Sequence, residues 1–276
     1  NNPNTEWDKK EIEYLLVGDS FTQGACVNRP NDIGSVLRIL SDKSVLNLGQ
    51  IGNGPLIEYA TLREYLNPNV KKVLFIYFEG NDLWNFINEK NDNILSNYLD
   101  DLNFTQNLKF RQNEIDYLAR ERINEMKIKV EAKKNQKKLI KILIFLRLDK
   151  LRTLLNSFLP KNQQQYFFNQ KLTNLEINEL KKTLQLSKEI VEMNNSDFYF
   201  VYLPQYNRYN INYDNKNYNL LKTILGDLKI PFIDINSEVF KKEQNPLKLF
   251  PFELPGHYNI EGYKKVAEII YKLTKN

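Results

Sequence analysis

Histidine and cysteine each occur once in the 276 residues, as His257 and Cys26. One cysteine rules out an internal disulfide framework and leaves the redox compartment open. A zinc site usually takes three or four ligands drawn mainly from His and Cys, so no metal and no cofactor is expected. No stretch approaches the ~20 apolar residues that a spanning helix requires. The net charge of +5 is mild for this length, and no recognition motif accompanies it, so nucleic-acid binding is not expected. The chain opens on "NNPNTEW" without methionine. From this an upstream targeting or anchor segment is expected to have been removed, so the start of the chain is no argument for the cytoplasm.

Apolar residues make up 42% of the chain and aromatics 12%, enough to bury a large core. Five apolar runs read as strands: 12–17, 44–48, 72–78, 197–203 and 230–235. "KVLFIYF" (72–78) is continuous enough to be buried on both faces. Helical patterns follow each run. Pro55 opens "GPLIEYATLREYL", Thr173 and Glu176 have the spacing of a capping box, and Asn259 caps the final helix. Strands alternating with helices imply a parallel sheet of about five strands between two helical layers. Ligands of such sheets bind beyond the carboxyl ends of the strands.

The span 84–172 lacks an obvious strand and reads as a helical insertion in an otherwise single domain, 1–276. Within it, residues 126–152 carry ten Lys/Arg against two acids, interleaved with "LIKILIFLRL". Such a helix can touch an anionic membrane surface, or it can pack its apolar face on the body and solvate its lysines. The tyrosine-rich "YLPQYNRYNINYDNKNY" (202–218) reads either as a sugar-stacking wall or as a surface loop. Cys26 reads as a small buried hydrophobe.

Four islands carry candidate chemistry. "YLLVGDSFTQG" delivers Ser20 to the end of the first strand, where it is either a helix cap or a nucleophile. "NLGQIGNGP" follows the second strand with glycines at 49, 52 and 54, which let backbone N–H groups approach a ligand. "EGNDL" places Asn81 after the third strand, and "GHYNIEGY" sets His257 just ahead of the last helix. Each has a plain structural reading as a cap, a turn or a satisfied histidine. Together they supply a serine nucleophile, a base, and N–H donors for an oxyanion.

In this order the four blocks resemble those of the SGNH (GDSL) hydrolase family. The resemblance implies a three-layer α/β/α, flavodoxin-like fold and a serine esterase or acyltransferase acting through an acyl-enzyme. It implies Ser20 as nucleophile, His257 as base, and an oxyanion hole from the Ser20 and Gly52 N–H groups with the Asn81 amide. Two departures stand out. Glu79 occupies a position where the family usually has glycine. The last block normally reads Asp-x-x-His, yet Leu254 stands three residues before His257. Glu253 is a substitute for the orienting acid, Glu79 and Asp234 are more remote ones, and a Ser–His dyad is the other arrangement. Within the family, O-acetyl esterases and transferases of carbohydrate or envelope polysaccharide match best. A lipid-directed esterase docking through residues 126–152, and a binding module that has lost turnover, are the competing readings.

Overall fold

A computed structural model of the chain describes residue 2 and residues 4–146, 172–209 and 213–275. Two compact units are present, one made of 1–105 with 167–276 and the other of 106–166. Of the expected insertion, residues 106–166 form the second unit. Residues 84–105 belong with the sheet.

The first unit is built on five parallel strands: β1 (Ile12–Gly18), β2 (Val45–Asn47), β3 (Val70–Phe78), β4 (Asp197–Leu203) and β5 (Phe232–Asp234), in the order β2-β1-β3-β4-β5. The α/β expectation therefore holds, with β2 and β5 shorter than their apolar runs. Around the sheet lie α1 (Ser20–Gln23), α2 (Ile33–Ser41), α3 (Pro55–Tyr65), α4 (Asp82–Glu89) and α5 (Asn93–Asp100). The second unit contributes α6 (Gln112–Leu146). The later helices are α7 (Asn174–Met193), α8 (Lys216–Asp227), α9 (Ile235–Glu238) and α10 (Ile260–Thr274).

Alternate side chains on each strand point to opposite faces, and both faces are apolar. Leu15, Val17, Phe75, Tyr77 and Phe200 join Leu56, Leu184 and Leu221 of α3, α7 and α8 in one core. Leu16, Leu74, Ile76 and Val201 join Leu37, Tyr263 and Val266 of α2 and α10 in the other. Thr173 and Glu176 form the expected capping box at the start of α7, and Asn259 caps α10 through the Gly262 amide.

The chain leaves β1 toward β2 on one side and returns to β3 on the other. The crevice between the carboxyl ends of β1 and β3 is therefore the topological switch point, where open α/β sheets bind ligands. Val17 pairs with Phe75 and Gly18 with Ile76, so β1 and β3 deliver their following loops to the same edge.

In α6 the side chains are described through Glu131. The larger part of the basic run 126–152, and with it the expected membrane-facing surface, lies outside the described side chains. Among the described residues no helix is long and apolar enough to cross a membrane.

Candidate active site

The site begins where β1 stops. Asp19 caps α1, its Oδ1 accepting the Phe21 amide at 2.8 Å, so Ser20 is fixed on the first turn of a four-residue helix. Gly24 ends that helix at φ +86°, a left-handed conformation that favours glycine. Asn47, at the end of β2, donates from Nδ2 to the Thr22 carbonyl at 2.6 Å and accepts the Gly49 amide at 2.9 Å. The serine turn and the glycine-rich loop are therefore locked to one another.

That loop carries Gly52 outward at φ +87°, with open space where a side chain would stand. Two side chains of α4 bolt the loop down. Asn85 Nδ2 donates to the Asn53 carbonyl at 3.0 Å. The Glu89 carboxylate accepts the amides of Gly54 at 2.6 Å and Leu56 at 3.1 Å, capping α3 from a distance. Because Asn81 is the N-cap residue of the same α4, the loops after β2 and β3 are fastened to one helix. Neither Asn85 nor Glu89 is marked in the sequence by motif or spacing.

His257 comes from the opposite end of the chain. Its neighbour Tyr258 is fully buried and donates its hydroxyl to the Pro204 carbonyl at 2.5 Å. Asn259 Nδ2 holds the Lys248 carbonyl at 2.7 Å. Pinned on both sides, the imidazole presents Nε2 to Ser20 Oγ at 2.8 Å. The Phe21 ring lies against it, centroids 4.5 Å apart.

The other ring nitrogen, Nδ1, faces Cys26 Sγ at 3.5 Å. Cys26 is exposed, which corrects its reading as a buried hydrophobe; the turn that closes α1 carries it outward. Glu253 makes no hydrogen bond to the imidazole. Its Oε1 faces Asn245 Nδ2 at 3.4 Å, and its backbone carbonyl accepts from Tyr206. The two remote acids are engaged elsewhere. Glu79 forms a two-pronged ion pair with Arg208, Nη2 to Oε2 at 2.6 Å. Asp234 caps α9 and accepts from Ser237 Oγ and Tyr218 Oη, both at 2.6 Å.

Arg208 also lies over the rings of Tyr202, Tyr213 and Tyr218. The described rings of the tyrosine-rich segment pack around the guanidinium and against Phe232, Phe240 and Phe250.

Burial dominates the electrostatics. It lowers the His257 pKa below its ordinary 6.5, so the ring is neutral at pH 7 and free to accept a proton. It also pushes the Asp19 carboxyl up to about 6, opposed first by the hydrogen bond from the Phe21 amide and also by the Asn81 side chain. Glu89 is raised to about 7 by burial. Behind these stand Glu58 and Asp82, both fully buried, their carboxyls raised by burial and by the acids beside them. Both Glu58 oxygens lack a hydrogen-bond partner.

Asn81 donates toward Asp19, while its Oδ1 is buried without a partner. An amide nitrogen carries two hydrogens, so one N–H remains for a second acceptor. Gly52 lies on the glycine-rich loop in open space, with no heavy atom within 4 Å of where a Cβ would stand. Among the described residues no group of His, Cys, Asp and Glu is arranged to hold a metal ion. Chemically, the arrangement offers a hydroxyl bonded to a neutral base at the switch point of the sheet, with backbone and amide donors on neighbouring loops.

The chain has the SGNH (GDSL) hydrolase fold. A GDSL-family lipolytic protein from Desulfitobacterium hafniense superposes over 95% of this chain and 99% of its own, at 14% identity and TM-score 0.50. A GDSL-family protein from Veillonella parvula covers 96% and 99%, at 12% identity and TM-score 0.50. The acetyl xylan esterase AlAXEase covers 95% and 100%, at 13% identity and TM-score 0.51. No family model and no curated protein matches the sequence.

Proposed function

We propose that the chain is a serine esterase acting through an acyl-enzyme on a small ester, with O-acetyl groups of carbohydrate or envelope polysaccharide as the substrate class. The observation that carries this reading is the 2.8 Å hydrogen bond between Ser20 Oγ and His257 Nε2, formed by residues 237 positions apart. A buried serine turn and a neutral imidazole meeting at a ligand-binding crevice are what nucleophilic acyl transfer requires.

In this reading Ser20 Oγ attacks the ester carbonyl as Nε2 takes its proton. Negative charge develops on the former carbonyl oxygen, where the Ser20 and Gly52 N–H groups and the free N–H of Asn81 converge as donors. Collapse expels the alcohol, which leaves with the proton from Nε2. Water, or a second hydroxyl, then attacks the acyl-serine with the same base assisting. The acetyl xylan esterase among the structural neighbours supports an acetylated polysaccharide as a substrate that this fold accommodates.

The test is labelling of the folded protein by a fluorophosphonate, with Ser20→Ala as control, followed by a panel of acetylated sugars and chromogenic acyl esters. Labelling confined to Ser20 and release of acetate from sugars are expected. A folded wild type that does not label at Ser20 would overturn the esterase reading and leave a binding module. Products resolved by mass separate hydrolysis from transfer, and preference for long acyl chains would move the substrate class to lipids.

A further inference from the structure

A neutral imidazole has one N–H and one bare nitrogen. If Nε2 is to accept the Ser20 proton, the ring must carry its own proton on Nδ1, and something must hold that tautomer. We propose that Cys26 is a positioning residue for His257, its sulfur accepting the Nδ1–H bond at the place where an acid would otherwise stand. This inference rests on the reading of Ser20 and His257 as nucleophile and base.

The contact is set by rigid elements. The Ala25 amide donates to the Ser20 carbonyl at 2.9 Å, so Cys26 is carried one residue beyond the nucleophile's own turn. The Ala25 carbonyl accepts from Tyr263 Oη at 3.0 Å, and Tyr263 lies on α10, the helix that follows His257. Both partners of the 3.5 Å S···Nδ1 contact are therefore fastened to α10. Among the described residues no carboxylate competes for Nδ1. Asp19 lies on the Ser20 side of the ring, and Asp32 is engaged with Ser35 at the start of α2. Glu253, Glu79 and Asp234 are held by Asn245, Arg208 and Ser237. Arg29, on the loop beyond Cys26, lines the adjacent pocket.

A thiol sulfur is a weak acceptor and carries no full charge. It can fix the tautomer and the ring plane, yet it stabilises the imidazolium that forms during acyl transfer far less than a carboxylate does. No covalent change at Cys26 is involved. The Nδ1 proton stays on the ring while the Ser20 proton moves to Nε2 and on to the leaving alcohol.

Because the chain has a single histidine, ¹⁵N-labelled histidine gives one pair of ring resonances that reads tautomer and pKa without any turnover. The wild type at pH 8 is expected to show a protonated Nδ1. In Cys26→Ala the Nε2–H tautomer should become the major one, and kcat should fall about tenfold at unchanged KM, the worth of one ordinary hydrogen bond. Cys26→Asp should keep the Nδ1–H tautomer, raise the imidazole pKa by about one or more, and move the acidic limb of the rate profile with it. Treating folded wild type with methyl methanethiosulfonate leaves a methyl disulfide on Cys26 and releases methanesulfinate. It must shift the same resonances and needs no variant to fold. Ring shifts and pKa identical before and after blocking, and in Cys26→Ala, would overturn the proposal. A wild type that shows these shifts but neither labels nor turns over would instead overturn the esterase reading alone.

Discussion

The Phe21 ring is sandwiched between the imidazole of His257, at a centroid distance of 4.5 Å, and the ring of Phe78, at 3.8 Å. Phe21 follows Ser20 in the chain, and Phe78 ends β3 just before Glu79 and Asn81. One side chain thus packs the imidazole plane against both the serine turn and the loop that carries Asn81.

Phe21→Leu is expected to lower kcat about fivefold with KM little changed, because the imidazole loses its flat support and samples unproductive orientations. Phe21 is almost fully buried, and the same variant should lose about 1–2 kcal/mol of stability, with Phe21→Ala losing about 3–5. Denaturant titration beside steady-state kinetics checks both. A rate unchanged in Phe21→Leu would contradict the support role.

The Glu79–Arg208 pair has side chains 4% and 8% exposed. Burial pushes the Glu79 carboxyl up and Arg208 opposes it. Removing one partner leaves a buried charge uncompensated, so Arg208→Ala should cost about 3–5 kcal/mol. At so buried a pair the loss should change little with salt. Unfolding curves at low and high ionic strength measure it.

Glu58 is fully buried with both oxygens unpartnered. Glu58→Met, of similar volume and without polar atoms, is expected to raise stability by about 1–3 kcal/mol. The gain should be larger at pH 8.5 than at pH 5, where the carboxyl is neutral. A destabilised variant at pH 8.5 would show that Glu58 has a partner in solution.

The buried acids also give the whole protein a pH slope. The Asp19 carboxyl rises from 3.8 to about 6 and the Glu89 carboxyl from 4.5 to about 7. Between the unfolded and folded values the folded state binds more protons, so stability falls as pH rises through that window. A carboxyl moved by about two pH units contributes about 3 kcal/mol. His257 works the other way, since its lowered value withdraws stability as pH falls below 6.5. One imidazole against several acids leaves the acids dominant, and thermal unfolding at pH 5 and pH 8 should give the higher midpoint at pH 5.

Activity has its own titration. A base must be neutral, and burial alone shifts His257, downward from 6.5. The acidic limb of kcat/KM for a chromogenic ester should therefore have its midpoint below 6.5. Asp19 titrates in the same region, so Asp19→Asn is the control that assigns the limb. A midpoint above 6.5 would contradict burial as the dominant influence on the ring in the free protein.

The apolar runs of β1, β3 and β4 announce buried parallel strands because a period-free hydrophobic stretch has few other uses in a chain this size. The caps at Thr173 and Asn259 are equally local and equally legible. β2 and β5 are shorter than their apolar runs: each stops where pairing with a single neighbour ends, which residue types do not reveal. Glu253 illustrates the limit of spacing. Its side chain turns to Asn245 because the loop passes through φ +56° and +54° at Phe252 and Glu253, and no spacing encodes that twist.

By itself the sequence determined which residues could carry chemistry and which segments would form strands and helices, since both follow from side-chain type and short-range periodicity. Only tertiary structure decided what stands at His257 Nδ1, what Glu79 pairs with, and that Glu89 binds the Gly52 loop to α4. Those outcomes depend on where distant backbones come to rest against one another to within an ångström, and a sulfur, a carboxylate or a guanidinium then takes whichever partner is in reach.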